Sequence, residues 1–75
     1  MSTEEKVILL AMLKKEEGEG LRDILKMLEN ARVFTLKEGK KLTKKLRDEG
    51  FLQDGSLTIK GEMAAKEAEE EFKLT

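Results

Sequence analysis

Seven consecutive apolar residues, Val7 to Leu13, constrain how this chain folds more than any other feature. Ser2 followed three residues later by Glu5 forms a capping-box pattern ahead of the run, and Lys14, Lys15 and Gly18 follow it as at a helix C-terminus. The pattern predicts helix 1 over Thr3–Glu17. At about 100° per residue, seven apolar positions encircle such a helix, so one packing partner cannot cover them. Either two neighbours in the same chain sandwich the helix or a second subunit covers part of it. The run is far shorter than the roughly 20 residues that span a bilayer. Charged residues flank it and no small-residue cleavage pattern follows, so neither a membrane span nor a signal peptide is expected and the chain reads as cytoplasmic.

How the rest of the chain meets that demand is limited by its size. Its 75 residues fit one domain, 1–75, which buries only about 60% of the surface of its unfolded chain. With no Cys and no His, disulfides and ordinary zinc sites are excluded, and oligomerisation is the staple that remains. Helix 1 (Val7, Ile8, Leu9, Met12), with Met63 near the C-terminus, is the expected homodimer surface. No metal, cofactor or small-molecule ligand is expected.

After Gly18-Glu19-Gly20, Leu21, Ile24, Leu25 and Leu28 recur at helical spacing and define helix 2, ending near Asn30. Ala31 to Phe34 is too short to classify from pattern alone; a brief extended segment pairing with a later strand is one expectation. Thr35 with Glu38 makes a second capping box, and Gly50 stands where a left-handed residue ends a helix, which bounds helix 3 at Thr35–Glu49. Leu36, Gly39, Leu42, Thr43 and Leu46 form its inward side. Gly39 in a helix interior costs about 1 kcal/mol against Ala, and its inward place points to a backbone approaching closely there. Asp54-Gly55 between Phe51-Leu52-Gln53 and Ser56-Leu57-Thr58 is a hairpin signal. A last helix, Ile59 to Lys73, follows with Thr58 able to cap it. Gly61, Ala64, Ala65, Ala68 and Phe72 share one of its faces and imply tight packing.

The passage Leu42, Leu46, Gly50-Phe51-Leu52, leading into Leu57-Thr58-Ile59-Lys60-Gly61, resembles the winged helix-turn-helix superfamily of transcription regulators over Leu21 to Phe72. The resemblance implies a predominantly α fold with a small β-hairpin, in the α+β class. About four helices would be joined by a two- or three-stranded wing sheet, with helix 3 as the DNA-facing helix. Three departures stand out. Ile59 replaces the family's usual Pro, the connection from Asn30 to Thr35 is longer than the regulators' tight turn, and the short wing carries no Lys or Arg between Phe51 and Ile59.

Charge points to the same helix. Net charge is -1, yet residues 31–60 carry eight basic and four acidic side chains, while the segments on either side are acidic. With Leu36 at zero on the helical wheel, the inward set runs from about 240° to 360°, and Arg47, Lys40, Lys44, Lys37, Lys41 and Lys45 run from about 20° to 180°. In a helix-turn-helix that outward face enters the major groove. These six residues are the candidate contacts to double-stranded DNA. Base reading favours Arg, Asn and Gln, of which helix 3 has only Arg47, so contact with phosphates and strong salt dependence are expected. Two alternatives stay open. Lys is also simply a good helix former on a solvated face, and a winged helix can instead serve as a protein-interaction module. Without His, Cys or Tyr no nucleophile and base pair can be assembled, so an enzyme is not expected.

Overall fold

The capping box at the head of the apolar run forms as the sequence dictates. Ser2 Oγ accepts from Glu5 N at 3.2 Å, and Glu5 Oε1 accepts from Ser2 N at 3.1 Å and from the Ser2 hydroxyl at 2.9 Å. The computed structural model describes residues 1–73, in the order α1 (Thr3–Lys14), α2 (Leu21–Asn30), α3 (Leu36–Asp48), β1 (Leu52–Gln53), β2 (Ser56–Leu57) and α4 (Ile59–Lys73). The architecture is α+β, mostly helical with one small antiparallel hairpin.

α1 ends three residues before the expected Glu17. Lys15 is extended, and the backbone N–H of Glu16 donates to the Glu19 carboxylate at 2.7 Å while Glu19 N donates to the Glu16 carbonyl at 3.1 Å, around Gly18 at φ 91°. A local side-chain acceptor competes here with continuation of the helix.

The demand of the apolar girdle is met within the chain. α4 is the main neighbour of α1, and α2, α3 and β2 complete its surroundings. Ile8, Leu9 and Met12 are buried in one core with Ile24, Leu25, Leu28, Phe34, Leu46, Leu52 and Ala65, and Val7, Ala11 and Leu13 lie partly buried against it. Three of the four α1 residues expected on a dimer surface, Ile8, Leu9 and Met12, are therefore inside the protein, covered by its own helices. Val7 is half-buried, whereas Met63 is exposed. Lys6–Glu71 at 2.7 Å and Lys14–Glu69 tie α1 to α4 at the surface. Among the described residues no helix is long and apolar enough to cross a membrane.

Residues 31–34 are not a strand. Their backbone donors serve the end of α2: Ala31 N donates to Met27 O, Arg32 N to Glu29 O and Val33 N to Leu28 O. This is a Schellman arrangement with Arg32 at φ 62° in the left-handed position. With those groups occupied, no ladder to a third strand forms, and the sheet of the described residues has only β1 and β2. The turn places Phe34 over α3. A Cβ on Gly39 would come within 2.6 Å of the Phe34 ring, so the close approach at Gly39 is by an aromatic side chain rather than by backbone.

α3 has both expected ends. Thr35 and Glu38 form its capping box, and Glu29 of α2 accepts from Leu36 N at 2.7 Å, satisfying another first-turn donor. Gly50, at φ 85°, donates to Arg47 O, and Phe51 N donates to Leu46 O, a second Schellman ending. The hairpin pairs Leu52 with Leu57 and Gln53 with Ser56. Asp54 and Gly55 both have positive φ, 51° and 76°, the combination a two-residue type I′ turn requires. Thr58 then joins hairpin to helix. Its hydroxyl donates to Gly50 O at 2.6 Å and accepts from Gly61 N at 3.0 Å. The backbone approach foreseen at Gly39 occurs instead at Gly61, where an added Cβ would lie 2.0 Å from the Phe51 carbonyl oxygen.

Candidate nucleic-acid interface

The Thr35–Glu38 capping box and the Gly39–Phe34 contact fix α3 in rotation, and rotation decides where its cations point. Lys37, Lys40, Lys41, Lys44, Lys45 and Arg47 are all exposed. They do not form one uniform face. Lys40, Lys44 and Arg47 border an open groove between α2 and α3, together with Arg22 from the first turn of α2. The floor of the groove is Leu21, Leu25, Leu36 and Thr43, and no carboxylate lines it. Among the described residues, none of these four cations takes part in an ion pair. Lys37 projects from the first turn of α3, at about 60° from Lys40 on the wheel.

Lys41 and Lys45 fall on the other flank. Lys41 borders a second groove with Glu4 and Glu38, next to Phe34 and Leu42. The Glu38 carboxyl is held below the usual carboxylate range chiefly by hydrogen bonds from Thr35, with the charge of Lys41 adding to the effect. Lys45 reaches Glu5 Oε1 at 3.5 Å. Burial of Glu5, 2% exposed, works to raise its pKa, but the hydrogen bonds from Ser2 and the ammonium of Lys45 more than offset this and hold it below the ordinary value of 4.5. Its second oxygen, Oε2, has no hydrogen-bond partner among the described residues. Lys45 is thus committed to a buried carboxylate.

Arg22 was not among the residues singled out from the sequence. On the wheel of α2 it lies about 60° from Leu25, at the margin of the apolar stripe, where a charged side chain is ordinary. Only the packing of α2 on α3 brings it beside Arg47 and Lys44. Four cations around one groove with no carboxylate in its lining make a positive surface, whose local field can attract an anion. The hairpin adds nothing basic, and its tip carries Asp54. Among the described residues no three carboxylates gather as metal ligands. Comparison with protein-family models, curated proteins and solved structures finds no match for this chain.

Proposed function

We propose that this protein binds double-stranded nucleic acid through its phosphate backbone, in the manner of a small winged helix-turn-helix transcription regulator, acting in the cytoplasm where DNA is accessible. The observation that carries the proposal is the groove in which Arg22, Lys40, Lys44 and Arg47 converge without a carboxylate partner. Lys37 extends the row along α3. Lys41 lies toward the flank, and Lys45, paired with Glu5, contributes least. With one Arg and no Asn or Gln on α3, contacts to base edges are few, so affinity comes from charge and sequence preference is modest. The unequal commitment of the cations sets the test. Fluorescence anisotropy of a random-sequence duplex should show the slope of log K against log salt reduced by about 0.9 in Arg22→Ala and little changed in Lys45→Ala. Equal effects of the two substitutions would count against this assignment.

A second reading rests on the apolar floor of the same groove. Leu21, Leu25 and Leu36 between four cations suit an acidic amphipathic segment of a protein partner. A folded protein that ignores duplex at low salt, yet binds such a peptide, would favour it.

A further inference from the structure

α4 carries an unusual surface. Ile59 is 80% exposed and Met63 60% exposed, one turn apart on the side of the helix that faces away from α1. Next to them is a shallow groove lined by Phe51, Ile59, Lys60, Met63, Ala64 and Glu67. The Lys6–Glu71 and Lys14–Glu69 pairs, the buried Gly61, Ala65 and Ala68, and the Thr58 cap hold the helix in place. A protruding methionine and an apolar hollow therefore sit side by side on a rigid element. Two-fold symmetry brings each to the other, because an isologous contact needs knob and hole on the same patch.

We propose that this face pairs two copies of the chain, α4 against α4, antiparallel about an axis near Met63 and Ala64. Each Met63 enters the hollow beside Phe51 and Ala64 of the other copy. The charges fit this register. On one flank of the exposed line stand Lys60 and Glu67, and on the other Glu62 and Lys66. Each pair is centred on 63 to 64, so the antiparallel arrangement sets Lys60 opposite Glu67 and Glu62 opposite Lys66, twice each by symmetry. It also brings the glutamate-rich C-terminal half of each α4 to the positive N-terminal end of the other. A parallel pair would instead set Glu70 of one copy against Glu70 of the other, on the line of Ile59 and Met63. This interface replaces α1, whose Ile8, Leu9 and Met12 are buried, and it is independent of nucleic-acid binding.

The test is sedimentation equilibrium over a concentration series, with far-UV circular dichroism to verify folding. Wild type should show a monomer–dimer equilibrium. Met63→Glu, at an exposed position that leaves the core untouched, should weaken association at least about tenfold. Glu62→Lys should weaken it by about threefold or more, and adding Lys66→Glu should restore it, since that exchange recreates the cross-helix pair only in the antiparallel register. A wild type that stays monomeric to about 1 mM overturns the proposal. So does a dimer insensitive to Met63→Glu. Failure of Lys66→Glu to rescue Glu62→Lys overturns the antiparallel register.

Discussion

Gly61→Ala and Gly39→Ala make the same chemical change inside a helix, and the structure assigns them different costs. Each gains about 1 kcal/mol of helix propensity. At Gly61 the new methyl would lie 2.0 Å from the Phe51 carbonyl oxygen, about 1.4 Å short of ordinary contact at 3.4 Å. The obstacle is backbone, so α4 and the hairpin must separate. That movement stretches the Thr58 N to Phe51 O bond at 3.1 Å, the Thr58 hydroxyl bond to Gly50 O, and the Lys60 Nζ bond to Glu49 O at 2.8 Å. Overpacking of this kind costs about 1–3 kcal/mol, and weakening two or three hydrogen bonds adds about 1 kcal/mol each. After the propensity gain, a net loss of about 2–5 kcal/mol remains. For a domain this small that lowers the melting temperature by about 10–40 °C. At Gly39 the obstacle is the Phe34 ring at 2.6 Å, a side chain at the end of a turn that can move aside, so the net loss should stay below about 1.5 kcal/mol. Urea unfolding followed by circular dichroism gives both values under the same conditions. A Gly61→Ala protein as stable as wild type, or less affected than Gly39→Ala, would refute the argument from backbone proximity.

Other substitutions probe local features. Arg32 holds the left-handed position at the end of α2 at φ 62°, so Arg32→Gly should raise stability by about 1 kcal/mol in the same urea assay. Glu5 has a folded-state pKa below 4.5, so its contribution is complete above the unfolded value and disappears as pH falls through the folded one. Glu5→Gln should therefore destabilise the protein near pH 7, with the gap from wild type narrowing as pH falls below the ordinary carboxylate value of 4.5; a gap that does not change with pH would show that the charge is irrelevant. Gly55→Val forces a β-branched residue to φ 76° in a two-residue turn, and thermal melting should show a loss of about 1–2 kcal/mol.

What could be read from the sequence was what depends on neighbours along the chain. Ser2 with Glu5, Thr35 with Glu38, Asp54-Gly55 and Gly50 each act within four residues of themselves, and each does in the structure what its pattern implies. The early end of α1 was missed although it is local, because the Glu19 carboxylate captures the Glu16 N–H outside any capping pattern at that helix end. The remaining differences are tertiary. Gly39 and Gly61 are alike in sequence, and only the fold puts a ring over one and a carbonyl against the other. Arg22 joins the cationic groove through the packing of α2 on α3, while Lys45 is diverted to Glu5 across the contact of α3 with α1. The encircling run in α1 announced that two sides needed cover, but nothing in its spacing decided between α4 and a second chain.

The most direct measurement of the central claim is the salt dependence of duplex binding by wild type and by the combined Arg22→Ala, Lys40→Ala, Lys44→Ala and Arg47→Ala protein. If the groove binds phosphates, wild type should bind random duplex at low salt with a steep negative slope of log K against log salt. The combined variant, folded by circular dichroism, should lose about 3 to 4 from the magnitude of that slope. A wild type with no affinity at low salt, or a combined variant with an unchanged slope, would contradict the claim.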